Sequence, residues 1–508
     1  MVFTPQIKLI RTVRLWVFFV LCSIAYYLLK HKEILLFHRN KRSNTLQTSH
    51  DEEIEYFRTL WKLQRERRFD FNALMEPCKD DMKWKSFYPE RNASFITSAK
   101  TTKVELDIRQ TGQYSRVLIH AFSLLRTPKH VGGDTWRIFI RGAASMPVTV
   151  LDHLNGTYEA FFLVTTPGKY HVELHLEYTL CDGYKDPPQQ WFVRGNEQGK
   201  SQPDHMLPGY EKAYVEEKFD GDLSFVVVDG HRNIFKELSA QLVEEGEEQT
   251  SCLMWDGFGE WSDQLQWTPL IKNPFQKSSL QKKVEGRGVF WIYGDSVGDF
   301  FYRAVWNTPL CKVLFITCKR TYNWVYNLPN NAPPRQTSTT LTYDNRDFDI
   351  ERLVHEIVNV ISHPPMDDES ALLLNLGLHY VMGIPVNQFI ELMKRVGEML
   401  QQNNLYNSTI IWKTTTALQK WKYGAPESNA RHAKSHRFLT QQRVEIFNAI
   451  STNILCQAGV PILDVFPMSY SYPNGTGSLA KPWDAVHYSR KAFIPVEQYL
   501  FSFFKRKT

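Results

Sequence analysis

Residues Val289-Phe290-Trp291-Ile292-Tyr293 are five consecutive apolar positions that run straight into Gly294-Asp295-Ser296. An uninterrupted apolar run opening on glycine predicts a strand buried on both faces, which is the habit of parallel sheets covered by helices. A helix-like stretch, Val297 to Ala304, follows. Ser296 is thereby predicted at a strand-to-helix turn on the carboxyl edge of an α/β sheet, where ligands bind. Backbone N–H groups and a helix N-terminus beside its hydroxyl favour developing negative charge. That is a nucleophile's position.

The remainder of the C-terminal half has the alternation such a sheet needs. Strand patterns at Val313–Ile316, Ala371–Leu374 and Ser408–Trp412 are interleaved with amphipathic helix patterns at Ile350–Ile361, Val386–Gln401 and Thr440–Ala458. This order predicts a parallel sheet with helices on both faces. Asn375-Leu-Gly-Leu-His379 leaves the strand Ala371–Leu374. There the Asn375 amide can face the oxygen of a tetrahedral intermediate, Gly377 permits close backbone approach, and the Ser296 N–H completes an expected oxyanion hole. Asp484 and His487 stand three residues apart near the far end. One turn of chain can place the carboxylate on an imidazole nitrogen, fixing the tautomer and leaving the other nitrogen for the serine. Asp295, Arg303 and His379 are expected to contact substrate.

A chain of 508 residues is too long for one ordinary domain. Short β-branched and aromatic segments begin near Val104: Arg116–Phe122, Trp136–Ile140, Tyr158–Leu163 and Tyr170–Leu180, separated by Gly, Pro and Asn clusters. Tyr170–Leu180 alternates strictly, so half of it should face a core. Together they predict a β-sandwich. His171, Glu173, His175 and Glu177 share the outer face of that strand at a spacing able to present a metal, but a solvated face is the ordinary reading and no metal is expected. Further on, Trp255, Trp261 and Trp267 gather with Asp256, Glu260 and Asp263. Rings and carboxylates together can hold carbohydrate, and core packing explains them equally well. Trp255 and Trp261 are kept as candidate substrate contacts.

Basic residues cluster near the start, at Lys8, Arg11, Arg14, Lys30, Lys32, Arg39, Lys41 and Arg42, and account for much of the net charge of +6. They flank Leu15–Leu29, which is uncharged and short of the roughly 20 residues of a usual span. With no small-x-small cleavage pattern after it, an uncleaved transmembrane anchor is preferred over a cleaved signal. The basic cluster is read as membrane-proximal, with no nucleic-acid partner. Sequons at Asn92, Asn155, Asn407 and Asn474 are candidate glycosylation sites. Of seven cysteines, Cys22 falls in the anchor and six follow it, with Cys311 and Cys318 expected to form a local disulfide. Sequons and cysteines together predict a type II membrane protein whose bulk is lumenal or extracellular, with the Golgi preferred. The expected fold class is therefore mixed: an anchor, an immunoglobulin-like all-β sandwich and an α/β domain. Its boundaries are 1–14 cytoplasmic tail, 15–29 anchor, 30–93 stem with one amphipathic helix at Ile54–Leu63, 94–184 sandwich, 185–251 connector and 252–508 α/β domain.

The order serine, asparagine, Asp-x-x-His resembles the block order of the SGNH (GDSL-like) hydrolase superfamily. Trp483-Asp-Ala-Val-His-Tyr488 and the Cys/Trp-rich segment from Cys252 make residues 252–508 similar to the PC-esterase family, which includes polysaccharide and sialate O-acetyltransferases. Gly132-Gly-Asp-Thr-Trp-Arg-Ile, Asp152-His-Leu-Asn-Gly-Thr-Tyr and Pro167-Gly-Lys-Tyr resemble the turns of the filamin-type immunoglobulin repeat. The combination looks like the neurexophilin and PC-esterase (NXPE) family. The resemblance implies Ser296 as nucleophile with Asp484 and His487 as its activators. It also shows a departure, because Asp299 stands where relatives usually carry arginine, with Arg303 one turn on as a substitute. The implied activity is a carbohydrate O-acetyltransferase with no bound cofactor, taking an acetyl donor such as acetyl-CoA and a glycan or glycoprotein acceptor. A glycan O-acetyl esterase with the same triad, and a non-catalytic adhesion or ligand-binding protein, are the alternatives.

Overall fold

The computed structural model describes residues 46–85, 88–192, 207–230, 233–239, 241, 252–271, 286–322, 348–402, 406–424 and 434–507. They divide between two units at Arg58/Thr59. Helix α1 (Leu46–Glu66) crosses that division, and α2 (Phe71–Met75) follows it. The site and every sheet lie in the second unit.

Strands β1 (Lys103–Asp107), β2 (Tyr114–His120), β3 (Thr135–Gly142), β5 (Thr149–Asp152), β6 (Thr157–Leu163), β7 (Gly168–Tyr178), β8 (Glu217–Lys218) and β9 (Ser224–Val227) build the N-terminal sheets, while β4 (Ala144–Ser145) pairs with the later residues Trp261 and Ser262. One sheet has the order β1-β2-β6-β5; the other is β3-β7-β8, with β9 also on β7. Val117, Ile119, Ala160 and Phe162 of the first meet Ile138, Ile140, Leu174 and Leu176 of the second in one core. The alternation read in β7 is the reason: Tyr170, Val172, Leu174 and Leu176 are buried while His171 is exposed. The outer-face residues do not converge. His171 pairs with Glu173 at 3.3 Å, His175 with Glu216 at 3.2 Å and Glu177 with Arg137 at 2.8 Å.

Strands β10 (Leu253–Trp255), β11 (Gly259–Ser262) and β12 (Trp267–Pro269) follow. Then come β13 (Val289–Gly294), α3 (Ser296–Val305), β14 (Thr317–Tyr322), α4 (Ile350–Ile361), β15 (Ala371–Leu374), α5 (Gly377–Gly383) and α6 (Val386–Leu400). The chain closes with β16 (Thr409–Lys413), α7 (Gln441–Gln457), β17 (Ile462–Leu463), α8 (Phe466–Tyr470) and α9 (Arg490–Lys507). The main sheet has the order β10-β17-β16-β15-β13-β14 and is parallel throughout. Val289, Trp291 and Tyr293 pack on one face with residues of α4, α6 and α7; Phe290 and Ile292 pack on the other with α3 and α9. The chain leaves β13 for β14 on one side and returns to β15 on the other. That reversal opens a crevice at their carboxyl ends, beside both Ser296 and Asn375.

Two expectations are corrected. The single transmembrane helix finds no support. Leu15–Leu29 lies outside the described residues, and among the described residues no helix is long and apolar enough to cross a membrane. Even α9, at 18 residues, carries Arg490, Lys491, Glu497, Lys505 and Arg506. The strand expected at Val313–Ile316 begins at Thr317 instead. Leu310–Leu314 forms a helical turn and Ile316 is 74% exposed, because the Cys311–Cys318 disulfide ties this corner to the edge strand. Cys78–Cys181 and Cys252–Cys456 are also disulfide-bonded.

The segment read as stem is, from Thr59 on, part of the same unit as the sheets. Arg65 pairs with Asp256 at 2.5 Å; Arg68 pairs with Asp256 as well and with Asp464 at 2.7 Å. Burial alone would push the Asp256 carboxyl up, but the two guanidinium groups hold it below its usual range.

Candidate active site

Asp295 caps α3: its carboxylate accepts the Val297 N–H at 2.9 Å and, across the crevice, the His379 N–H at 3.4 Å. It is completely buried, and burial raises its pKa against these bonds and the nearby Lys413 charge. Gly377 is left-handed at φ +57, and a Cβ there would stand 2.0 Å from Asp295 Oδ2. Only glycine lets the two loops close. Asp295 is therefore a cap and a brace, and its expected role as a substrate contact is corrected.

Ser296 follows as the first residue of α3 and is half-buried. First-turn N–H groups have no intrahelical partner, and among the described residues neither Ser296 N–H nor Gly377 N–H has another. Asn375 is different. Its amide donates to Lys413 O at 2.9 Å and Thr415 Oγ1 at 3.1 Å, which uses both hydrogens. The amide turns towards β16 to hold two adjacent strands together, so its expected place in the oxyanion hole is corrected.

His487 Nδ1 lies 2.8 Å from Asp484 Oδ2, and Asp484 Oδ1 also accepts the N–H groups of Val486 and His487, both at 3.0 Å. Burial would raise the Asp484 carboxyl, but the imidazole and these N–H groups hold it below the usual range. The other ring nitrogen, Nε2, is buried and makes no hydrogen bond among the described residues, so no bond to Ser296 is closed. The imidazole stacks on Phe300, with centroids 4.2 Å apart. Phe300 is four residues after Ser296 and so on the same face of α3. The ring thus packs on the side chain one helical turn beyond Ser296, with its Nε2 unbonded.

His379 lies beside this pair, half-buried, its pKa driven well down by burial and then by the His487 charge. Arg303 is 56% exposed and bonded to Asp299 at 2.5 Å; Arg320 reaches the same carboxylate. Trp255 and Trp261 are corrected as substrate contacts. Trp261 is completely buried, donates to Met468 O at 2.9 Å and packs on Tyr472; Trp255 packs edge-on against Tyr499. Asn92, Asn155, Asn407 and Asn474 are all exposed.

Two residues escaped the sequence reading. Phe300 carried a usable signal, its spacing from Ser296. Lys413 carried none: it ends β16, is completely buried, bonds Thr414 O at 3.0 Å and is pushed down to about 8 by burial, with the Asp295 charge opposing.

No protein-family model matches the chain, and no curated protein does. Among solved structures, the crystal structure of the lipase/acylhydrolase from Enterococcus faecalis is similar over 44% of this chain and 96% of that one, at 11% identity and a TM-score of 0.27.

Proposed function

We propose that the chain is a serine-dependent acyl-transfer enzyme, a carbohydrate O-acetyltransferase. The observation that carries this is His487, bonded through Nδ1 to Asp484, stacked on Phe300 one helical turn beyond Ser296, and left with an unbonded Nε2. His487 takes the Ser296 proton as the hydroxyl attacks an acetyl donor, and the N–H groups of Ser296 and Gly377 with the positive end of α3 stabilise the oxyanion. The donor's leaving group departs with the proton, giving an acetyl-serine. A glycan hydroxyl, deprotonated by His487, then takes the acetyl group and frees the serine. Water in place of the sugar makes the same machinery an esterase. The disulfides and the exposed sequons support placement in an oxidising compartment, the secretory lumen or the cell exterior.

The test is labelling of the folded protein with a serine-directed fluorophosphonate, beside Ser296→Ala. Labelling that disappears with Ser296 is expected, and folded protein that never labels overturns the proposal in favour of a binding protein. Incubation with acetyl-CoA, or another acetyl donor, and glycans then reads whether ester is gained or lost.

A further inference from the structure

A cavity of about 140 Å³ lies between the sandwich and the α/β layers, walled by β3 and β5 on one side and by α7 and α8 on the other. Ser296, Phe300, Asp484 and His487 take no part in its lining. It is thus a second enclosure, independent of the candidate active site.

Its walls hold polar atoms with nothing to bond. Thr135 Oγ1, Trp136 Nε1 and Gln442 Oε1 are buried without a hydrogen-bond partner among the described residues, on side chains 3%, 5% and 8% exposed. Thr135 and Gln442 are neighbours: a Cβ placed on Gly183 would meet Gln442 Oε1 at 2.9 Å and the Thr135 methyl at 3.1 Å. Native proteins rarely bury such groups unpaired, because each then forfeits its bonds to water. The space is also large enough to fill, since an engineered cavity of about 150 Å³ takes a benzene ring.

The lining selects the occupant. Five carboxyl groups, on Asp134, Asp152, Glu177, Glu445 and Asp464, face three guanidinium groups, on Arg67, Arg68 and Arg137. Neither a small anion nor a small cation escapes like charge in that mixture. Among the described residues Arg68 and Arg137 each leave an Nε–H unbonded as well, but their charges are met by Asp256 and Asp464 and by Glu177 and Glu216. The other unpaired groups are neutral: an indole N–H donor, an amide oxygen acceptor and a hydroxyl able to be either. Aromatic rings, Trp136, Tyr158 and Tyr470 among them, line the rest. Ring faces for C–H surfaces, with donors and acceptors between them, match a polyol. We propose that this cavity binds a neutral hydroxyl-rich molecule, up to the size of one sugar ring, through Thr135, Trp136 and Gln442.

The test uses the full chain carrying Ser296→Ala, so that no chemistry at the serine contributes. Methyl α-glucoside, methyl β-galactoside and glycerol are titrated by ligand-detected NMR, with glucuronate and glucosamine as charged counterparts. At least one neutral probe should bind saturably with a Kd of about 1 mM or tighter, weakened roughly tenfold by Gln442→Leu. Thr135→Val is the second variant, and melting curves establish that each is folded. The proposal is overturned if no neutral probe saturates, which leaves a cavity holding water only. It is equally overturned if a charged counterpart binds more tightly, or if folded Gln442→Leu and Thr135→Val both bind as before.

Discussion

Replacing Asp484 by asparagine tests the proton path at a single atom. The Oδ1 position accepts N–H groups of Val486 and His487 at 3.0 Å each, so an asparagine must keep its carbonyl oxygen there. Its NH2 group then occupies the Oδ2 position, 2.8 Å from His487 Nδ1. Nδ1 also lies 3.1 Å from the retained oxygen, but the donor is the nearer group, so it favours an accepting Nδ1 and moves the ring proton to Nε2. The nitrogen meant to receive the serine proton already carries one. Loss of the correct tautomer in an acid–histidine–serine site is worth about 10⁴ in rate, or roughly 5 kcal/mol of activation free energy. The loop bonds are kept, so the melting temperature should move little. The assay is the rate of fluorophosphonate labelling at neutral pH, with Ser296→Ala as the zero. If Asp484→Asn, folded, labels at the natural rate while Ser296→Ala does not label, the tautomer argument is refuted and Asp484 is a loop anchor only.

Other outcomes follow from the same geometry. Phe300→Ala removes the ring stacked on the imidazole; a stacked pair worth about 1 kcal/mol predicts a roughly fivefold slower labelling rate, and an unchanged rate would show that the stack is incidental. Burial pushes Glu445 up to about 7, so the folded chain binds a proton that the unfolded chain releases near pH 4. Stability is then lost as pH rises between those values, by at most about 3 kcal/mol. Glu445→Gln should melt higher than the natural protein at pH 8 and equally at pH 4, measured calorimetrically. The Cys252–Cys456 bridge spans 204 residues, for which chain entropy gives about 5 kcal/mol. Replacing both by alanine should therefore lower the urea midpoint clearly, and an unchanged midpoint would contradict it.

What could be read in the residues depended on how local the cause was. The apolar run Val289–Tyr293 and the alternation in Tyr170–Leu180 predict their strands because burial on two faces or one is written into successive positions. The Asp484–His487 pair was legible for the same reason, three residues apart on one turn. The orientation of Asn375 is not legible this way, because its amide partners, Lys413 O and Thr415 Oγ1, sit at and just past the end of a strand, 38 and 40 residues away. Trp255 and Trp261 were ambiguous because an aromatic–acidic cluster looks the same on a surface as under one. Only tertiary packing, which puts Tyr472 and Tyr499 against those rings, decides between them.

The Arg65 and Arg68 contacts with Asp256 and Asp464 bear on where this protein can be cut. A fragment begun at Cys252, the natural choice from motif boundaries, would leave two interior acids facing each other with neither arginine present. Uncompensated buried charge of that kind is severely destabilising. The smallest piece expected to express in folded form therefore starts before Arg65, and the arginine pair acts as the clasp that makes the front of the chain indispensable to its back.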